Sequence, residues 1–234
     1  MNDAPMPLSS FSQPPLPQSS PQPLPKVIYL DAFGTLFGVK SSVGHLYSQL
    51  ARSAAVDSDP KAVNQAFYQS FAAAERLAFP KASPADIPAL EYRWWKAIVA
   101  ETFERVGVID RFEDFDAFYA GLYNYFATSD PWQVYADTIS SLNRWRSMGI
   151  ELGVISNFDS RLHRVLSILE LDTYFQSVTI STEVGAAKPS PKIFKAALAK
   201  HNCIAQQAWH VGDSEAEDYA GARSVGMRAV LVAR

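Results

Sequence analysis

The sequence predicts an α/β protein in which a parallel sheet is interrupted by an inserted group of helices. Three observations lead to this fold class. The apolar run Val27–Leu30 is typical of a strand buried on both faces. Residues from about 39 to 128 carry apolar side chains at helical spacing. After Asp130-Pro131, predicted strands and helices alternate, which is the pattern of parallel βαβ units.

These patterns divide the chain into three parts. Residues 1–25 hold eight of the fifteen prolines and no lysine or arginine, so they are predicted to be a disordered tail. Residues 26–38 and 130–234 are predicted to form the core that contains the sheet. Residues 39–129 are predicted to form a separate helical domain, inserted after the first strand.

The predicted insert contains four helices. In the first, apolar residues recur at positions i, i+3, i+4, i+7 and i+11, beginning at Val43. Asp59-Pro60, Asp86 and Asp114 are suitable starts for three more, because aspartate caps the amino terminus of a helix and proline fits its first turn. The sequence predicts no strand within this insert.

In the second half of the chain, four further strands are predicted. They cover residues 150–155, 178–180, 208–211 and 229–232. A predicted helix precedes each strand. In chain order, the first helix ends at Met148, the second begins at Asp159, the third begins at Ser190 and the fourth ends at Val225. Strands that alternate with helices in this way run parallel to one another.

Composition excludes several classes of function. A net charge of -3 and a pI near 5.8 provide no basic face for a phosphate backbone, so nucleic acid is not an expected partner. The sequence contains no apolar run of membrane-spanning length and no signal-peptide pattern at its start, so a cytoplasmic protein with no membrane partner is expected. The single Cys203 forms no internal disulfide. The nucleotide-binding motifs GxGxxG and GxxxxGKS/T are absent from the sequence.

Polar residues follow the predicted strands at the edge where their carboxyl ends meet, and open α/β sheets bind ligands outside this edge. In chain order they are Asp31, Thr35, Ser156, Asn157, Lys188, Asp213 and Asp218. Converging carboxylates repel each other unless a cation lies between them, and oxygen ligands favour Mg²⁺ over zinc. The sequence therefore predicts an anionic substrate bound beside Mg²⁺, with Lys188 offsetting the remaining negative charge.

Four short motifs around these residues resemble those of the haloacid dehalogenase superfamily and occur in the same order. They are DAFGTL at 31–36, ISN at 155–157, AAKPSPKIF at 186–194 and HVGDSEAEDYAGA at 210–222. Each is short, but four in order at successive strand ends form a specific signal. The resemblance covers residues from about 26 to the end of the chain. It implies a hydrolase of subfamily IA, with a Rossmann-like core and a C1-type cap as its helical insert.

The resemblance implies a nucleophile and a metal site. Asp31 would attack phosphorus and carry an aspartyl-phosphate intermediate. The metal ion would be Mg²⁺, held by the carboxylates of Asp31 and Asp213 and by the backbone carbonyl of Phe33. The expected substrate is a small phosphorylated metabolite.

The resemblance also implies how the phosphate is held. Ser156 and Lys188 would act on the phosphoryl oxygens as catalytic groups, and Thr35 and Asn157 would complete the phosphate cradle. Asp218 would orient Lys188 or a metal-bound water from a second layer.

Phe33 departs from the pattern of the superfamily. Its phosphatases place a second aspartate two residues after the nucleophile, where it protonates the leaving oxygen. Loss of such an acid typically slows hydrolysis about 100- to 10,000-fold. Hydrolysis of alkyl phosphates is therefore expected to be weak, whereas acyl and aryl phosphates, with better leaving groups, should be less affected.

Two alternatives remain open at this point. An aromatic residue at position 33 also resembles the 2-haloacid dehalogenases, in which aspartate attacks carbon without a metal. Their fourth motif has serine and asparagine where this chain has Gly212-Asp213-Ser214, so Asp213 favours phosphoryl chemistry. The second alternative is a non-catalytic protein that binds a phosphometabolite or has a regulatory role.

Other acidic and aromatic residues are expected to be structural. Glu215 and Glu217 are interpreted as charges that complement a helix dipole. Trp94 and Trp95 are adjacent on a predicted helix, so at most one of them is expected to face a ligand.

The four histidines are predicted to form neither a catalytic triad nor a zinc site. His45 lies on the first helix of the insert, from which it could reach a substrate. His163 and His201 are interpreted as solvated helix positions, and His210 as a packed strand residue.

Overall fold

The computed structural model describes residues 24–234, and a parallel sheet of five strands lies at its centre. The strands are β1 Val27–Leu30, β4 Glu151–Ser156, β5 Ser177–Ile180, β6 Ala208–Gly212 and β7 Arg228–Leu231. Their order in the sheet is β5-β4-β1-β6-β7. The predicted α/β class with a Rossmann-like parallel sheet is confirmed. The tail predicted for residues 1–25 lies outside the described residues, apart from its last two.

The strand β1 is central because β4 and β6 pair with it on either side. Leu30 at its end is in register with Val154 of β4 and Val211 of β6. All these strands run in one direction, so the residues that follow them reach the same edge of the sheet. Asp31 therefore lies in the middle of the carboxyl edge.

Helices pack on both faces of the sheet. They are α5 Thr138–Ser147, α6 Arg161–Ile168, α7 Ser181–Val184, α8 Pro191–Lys200 and α9 Gly221–Ser224. Successive side chains of a strand point to opposite faces. Accordingly, Ile28 and Leu30 pack in one apolar cluster with residues of α5 and α6, whereas Val27 and Tyr29 pack in another with residues of α8 and α9.

The insert contains the four predicted helices, which are α1 Val43–Ser53, α2 Pro60–Ala73, α3 Ile87–Val106 and α4 Phe115–Tyr125. The carboxylates of Asp59 and Asp114 accept backbone hydrogen bonds at the starts of α2 and α4. The Asp86 carboxylate instead accepts a hydrogen bond from the Ser83 hydroxyl at 2.7 Å. The four helices share an apolar cluster of their own. The boundaries at 39 and 129 stay a prediction.

A short antiparallel pair was missing from the predicted elements. It consists of β2 Phe37–Val39 and β3 Trp132–Val134, which pair where the chain leaves and re-enters the sheet-containing part. Three residues are too few to produce a period-2 pattern, so sequence periodicity does not reveal such strands. The pair places Trp132 beside Phe37, with ring centroids 5.4 Å apart.

Short helical turns complete the connections. Three 3-10 helices cover Ile109–Arg111, Asp172–Tyr174 and Ala205–Gln207, and a π-helix covers Glu215–Ala220. Within residues 24–234, none of the helices has both the length and the apolar character needed to span a membrane.

Candidate active site

A buried lysine joins two carboxylates at the carboxyl edge of the sheet. Lys188 Nζ lies 2.6 Å from Asp31 Oδ1 and 2.5 Å from Asp218 Oδ1. All three side chains are almost fully shielded from solvent. Buried charges of this kind are tolerated only when they are paired and hydrogen-bonded. The structure thus brings together three of the residues that were selected from the sequence.

The electrostatics of this cluster are set by burial and by mutual attraction. Burial raises the pKa of Asp31, although Lys188 acts in the opposite direction. Burial alone would lower the pKa of Lys188, but attraction to Asp31 and Asp218 outweighs it, so that pKa is raised. Lys188 is therefore a permanent cation, and a further cation near Asp31 would favour its ionised form.

Ser156 and Asn157, at the end of β4, have different surroundings. The Ser156 hydroxyl donates to Asp31 Oδ1 at 3.2 Å, on the same oxygen that Lys188 contacts. The Asn157 side chain instead holds the backbone of Lys188, because its Oδ1 accepts from the Lys188 N–H at 2.7 Å and its Nδ2 donates to the Lys188 carbonyl at 3.1 Å. Asn157 therefore fixes the segment that carries the lysine.

Asp213 adds a third carboxylate. One ligand oxygen from each of Asp31, Asp213 and Asp218 lies within 4.8 Å of the others. Burial and the two neighbouring carboxylates raise the pKa of Asp213. The Thr35 hydroxyl donates to Asp213 at 3.4 Å, so Thr35 contacts this carboxylate. Gly34 has a φ of +88°, and a Cβ there would come within 2.5 Å of Asp213 Oδ2, so the turn after β1 requires glycine beside the carboxylate.

The donor set fits a hard divalent cation. Three carboxylates around one ammonium leave excess negative charge, and oxygen ligands suit Mg²⁺. Asp218 is the least available of the three, because it accepts from Lys188, from His210 at 2.8 Å and from the Ser214 N–H at 3.1 Å. Asp31 accepts two side-chain hydrogen bonds, both on Oδ1, and Asp213 accepts one from Thr35.

His210 forms a hydrogen bond with Asp218. It is fully buried on β6, as expected for a packed strand residue. Burial lowers the pKa of His210, so the ring is neutral at pH 7 and its Nε2–H donates to Asp218. The hydrogen bond from His210 and the charge of Lys188 hold the pKa of Asp218 below its usual range despite its burial. Sequence patterns gave no signal for this contact, because it depends on the π-helix after Ser214.

Two contacts near Lys188 were also missed. Glu217, interpreted as a helix-dipole charge, accepts a hydrogen bond from Asn157 Nδ2 at 2.8 Å. Arg76, which follows α2, donates to the Lys188 carbonyl and lies 3.2 Å from Glu217. The helical insert therefore contacts the lysine-bearing segment directly.

The prediction that His201 is solvated was wrong. His201 is buried, with Nε2 2.7 Å from Ser177 Oγ and Nδ1 2.6 Å from Glu151 Oε2. These hydrogen bonds link Ser177, His201 and Glu151, and the expectation that the histidines form no catalytic triad stays a prediction. Glu151 and Ser177 begin β4 and β5, so this group lies at the opposite edge of the sheet from Asp31. Helical spacing in the sequence does not show that His201, which follows α8, packs against the first residues of β4 and β5.

The other two histidines are exposed. His163 Nε2 lies 2.8 Å from Glu183 Oε1, and this hydrogen bond raises the pKa of His163. His45 is exposed on α1 and does not line the cavity described next.

A cavity of about 180 Å³ opens between the helical insert and the carboxyl edge. Eleven of its seventeen lining residues are aromatic, so its wall is largely apolar. Phe33 and Asn157 belong to both the cavity wall and the edge that carries Asp31. Trp95 lines the cavity, whereas the Trp94 indole donates to the Glu75 carbonyl, so the expectation that at most one of them faces the pocket is confirmed.

One cation, Arg161, lies in this wall. Its guanidinium forms a two-point pair with Asp159, at 2.8 and 2.7 Å, and donates to the Tyr123 carbonyl at 2.9 Å. The guanidinium carbon stacks 3.7 Å from the centroid of the Tyr123 ring. Trp95 Nε1 donates to Asp159 at 2.7 Å. Arg161 lies four residues after Asn157, but the spacing alone gave no reason to select it.

The parallel sheet and the carboxylate–lysine cluster at its carboxyl edge define the class of protein as an α/β enzyme. The profile of the haloacid dehalogenase-like hydrolases matches residues 25–226, and the chain belongs to this family of hydrolases. Members of the family generally use Mg²⁺, and the cluster Asp31, Asp213 and Asp218 has the chemistry to hold a metal ion.

Individual relatives agree with this assignment. The chain is 34% identical over 206 residues to haloacid dehalogenase-like hydrolase domain-containing protein 3 of Danio rerio. This match covers 87% of this chain and 83% of that protein. This confirms a resemblance that the segments ISNFDSRL and VGDSEAEDYAGARSVGM carry in the sequence. The chain is also 43% identical over 91 residues to the glyceraldehyde 3-phosphate phosphatase of Pyrococcus abyssi, a match covering 38% of each.

Among solved structures, the fold resembles that of the HAD phosphatase from Thermococcus onnurineus. The TM-score is 0.60 at 26% sequence identity, covering 89% of this chain and 86% of that one.

Proposed function

We propose that this hydrolase is a magnesium-dependent phosphatase that acts on a small phosphorylated metabolite through an aspartyl-phosphate on Asp31. The observation that carries the proposal is the buried Lys188–Asp31 pair, 2.6 Å apart, beside the exposed carboxylate of Asp213. A lysine in contact with the nucleophile can also neutralise the phosphoryl group that the nucleophile attacks.

In the proposed reaction the Asp31 carboxylate attacks phosphorus in line. The new oxygen–phosphorus bond forms as the bond to the leaving oxygen breaks, and the leaving group departs with the electron pair. Water then attacks the phosphorus of the aspartyl-phosphate, which releases inorganic phosphate and restores the carboxylate. The Ser156 hydroxyl and the Lys188 ammonium, both next to Asp31, bind the phosphoryl oxygens during these steps.

The remaining residues position this machinery. Asn157 holds the backbone of Lys188, and Asp218 holds its ammonium. Thr35 contacts Asp213 and completes the cradle from the turn after β1. We propose that residues 39–129 act as a cap over a core of residues 26–38 and 130–234, since Arg76 of the insert contacts the Lys188 segment.

Magnesium would be held by the carboxylates of Asp31 and Asp213 and by the backbone carbonyl of Phe33. When bound, it supplies positive charge that draws the phosphate toward Asp31 and stabilises the charge of the transition state. Asp218 is already engaged by Lys188 and His210, which supports a role outside the metal shell.

Phe33 supplies no proton to the leaving group. Its side chain is 38% exposed and packs edge-on to Trp132, with ring centroids 6.2 Å apart. Substrates whose leaving groups are stable as anions need no such proton, so they should be hydrolysed best.

Relatives support a phosphatase as well. Two proteins similar to this chain bear phosphatase names, the glyceraldehyde 3-phosphate phosphatase of Pyrococcus abyssi and the HAD phosphatase of Thermococcus onnurineus. The first match spans only 91 residues, so it supports the reaction class rather than the substrate.

A 2-haloacid dehalogenase is the second candidate, because the site has an aromatic residue at position 33 and an apolar cavity. In that reaction Asp31 would attack carbon and displace halide. Asp213 weighs against it, because a third carboxylate near Asp31 would repel the carboxylate of a haloacid unless a cation were bound. A binding or regulatory protein without turnover is the third candidate.

The test is the release of phosphate from a panel of phosphate esters and acyl phosphates, with Mg²⁺ and with a chelator, alongside halide release from 2-chloropropionate. We expect turnover that requires Mg²⁺ and that Asp31→Asn lowers by at least about 1,000-fold, since the nucleophile is lost. Asp57→Asn is the matched control, because Asp57 lies exposed on the surface. Halide release without metal would establish the dehalogenase, and no turnover of any compound would favour the binding protein.

A further inference from the structure

The size and lining of the cavity point to the chemical class of the leaving group. We infer that the substrate is a monoaryl phosphate whose uncharged single aromatic ring occupies the cavity while its phosphate lies at Asp31. This inference rests on the proposed phosphatase function and adds to it the part of the substrate that the insert recognises.

The cavity is placed to receive a leaving group. Phe33 lies two residues after Asp31, and Asn157 follows Ser156, and both line the cavity wall. A phosphate held by Ser156 and Lys188 would therefore point its ester substituent into the cavity. Arg76 contacts the Lys188 segment from the insert, so the two halves of the site are in direct contact.

Its volume matches one ring. A cavity of about 150 Å³ in another protein binds benzene, and pockets for drug-sized ligands typically measure about 300 to 1,000 Å³. The value of about 180 Å³ here is close to the first and well below the second. The space therefore suits a single ring better than a drug-sized ligand.

The wall favours aromatic rings over sugars. Rings from the insert, among them Tyr47, Phe67 and Phe71, stand at edge-on or stacked angles to one another around the space. Aromatic pairs gain from these geometries beyond simple burial. A sugar would bury several hydroxyl groups against this wall, and each one without a partner is costly.

The wall also disfavours a charged ligand. The Arg161 charge is matched by Asp159 and cannot attract a second carboxylate strongly. Its guanidinium already covers the Tyr123 ring at 3.7 Å and lies 5.8 Å from the Trp95 ring, so a quaternary ammonium group would meet a cation on the faces it prefers. These contacts favour an uncharged ligand, and the aromatic lining favours a ring.

An aromatic leaving group also explains why the site can function with Phe33 in place of a proton donor. When Asp31 attacks, the bond from phosphorus to the aryl oxygen breaks and a phenolate leaves with the electron pair, then takes a proton from water. A phenol has a pKa of about 10, compared with about 15.7 for water, so its anion leaves without a proton donor. Attack of water on the aspartyl-phosphate releases phosphate, so that the sum is aryl phosphate plus water giving phenol plus phosphate.

The test compares ring recognition with leaving-group reactivity. Phenyl, 1-naphthyl and glucose 6-phosphates, phosphocholine and acetyl phosphate are assayed with Mg²⁺ for kcat/KM, and phenylphosphonate and methylphosphonate for binding by calorimetry. We expect phenyl phosphate to have the highest kcat/KM of the four esters. Phenylphosphonate should bind at least about 10-fold more tightly than methylphosphonate, because burying the ring contributes.

Variants localise the effect. Phe71 lines the cavity and is 44% exposed, so Phe71→Ala should fold normally. It should lower kcat/KM for phenyl phosphate about 10-fold, through loss of ring contacts, and lower it much less for acetyl phosphate, which has no ring. Phe115→Ala is the matched control, since Phe115 packs against the apolar cluster of the same helices but does not line the cavity.

The outcomes separate the two proposals. Turnover of acetyl phosphate without ring preference, or a preference for phosphocholine or glucose 6-phosphate, would overturn the aryl assignment and leave the phosphatase intact. Equal binding of the two phosphonates would overturn it as well. If no phosphate compound is turned over, the phosphatase fails and the aryl substrate fails with it.

Discussion

The two halves of the site, the carboxyl edge of the sheet and the cavity beside it, have opposite polarity. At the carboxyl edge, buried charges are paired at hydrogen-bond distance, as in Lys188 with Asp31 and Asp218. In the cavity above it, the wall consists mainly of rings, and its one cation, Arg161, is matched by Asp159. The first region depends on electrostatics in a dry environment, and the second on shape and apolar area. Under the proposed function, reaction type and substrate choice would therefore be carried by different residues.

Removal of Lys188 should have the largest effect and tests whether the polar half works as one unit. Lys188→Met leaves Asp31 and Asp218 buried without their cation, so we expect the free energy of unfolding to fall by about 3 kcal/mol. Turnover should fall by at least about 1,000-fold, because the charge on the phosphate is no longer offset. Urea unfolding and phosphate release provide the two measurements.

Lys192→Met is the control for that experiment, because Lys192 is exposed on α8. A Lys188→Met protein with the stability and rate of the wild type would show that the ion cluster is not the centre of the site.

The second prediction concerns Phe33, which belongs to both regions. Phe33→Asp should raise kcat for an alkyl phosphate by about 100-fold, because a proton donor is supplied to the leaving oxygen. It should change phenyl phosphate turnover little, since that leaving group needs no proton. Steady-state kinetics with both substrates measures the contrast.

Phe33→Asn separates proton donation from the loss of the ring, because the amide has a similar size but is no acid. Equal gains for Asp and Asn, or equal gains on both substrates, would contradict the role assigned to position 33.

The smallest effect is expected outside both regions, at His163 and Glu183. The hydrogen bond that His163 donates to Glu183 raises the pKa of His163 in the folded protein. Its contribution to stability is therefore complete below the unfolded pKa of about 6.5 and is lost as the pH rises through the raised folded value. Solvent screens this half-exposed pair, so the contribution is at most about 0.5 kcal/mol.

Urea unfolding of the wild type and His163→Gln at pH 5.5 and 8.5 checks this sign. The wild type should be slightly more stable than the variant at pH 5.5, and the difference should vanish at pH 8.5. A difference that grows with pH would contradict the assigned pairing.

The contrast between the two regions also explains what the sequence predicts well. Asp31, Ser156 and Lys188 could be selected because parallel strands bring the residues after them to one edge, whatever the details of packing. The four helices of the insert were predicted because their apolar spacing and aspartate starts are local signals.

Other features depend on contacts between distant segments. The strands β2 and β3 contain three residues each and have no period of their own. His201 was misplaced because its partners, Glu151 and Ser177, come from two other strands. Arg161 and Trp95 meet through Asp159 only after the insert packs on the core. Helical spacing indicates which apolar residues face the interior of the insert. It does not indicate where their packing leaves a cavity between the helices.

The most direct test of the account is to trap the covalent intermediate. The enzyme is mixed with phenyl phosphate and Mg²⁺ during turnover and treated with borohydride, which reduces an aspartyl-phosphate to homoserine, and its peptides are analysed by mass spectrometry. We expect homoserine at position 31, dependent on substrate and absent from Asp31→Asn. Steady turnover with no modification at position 31, or modification at Asp213 instead, would contradict the proposal that Asp31 is the nucleophile.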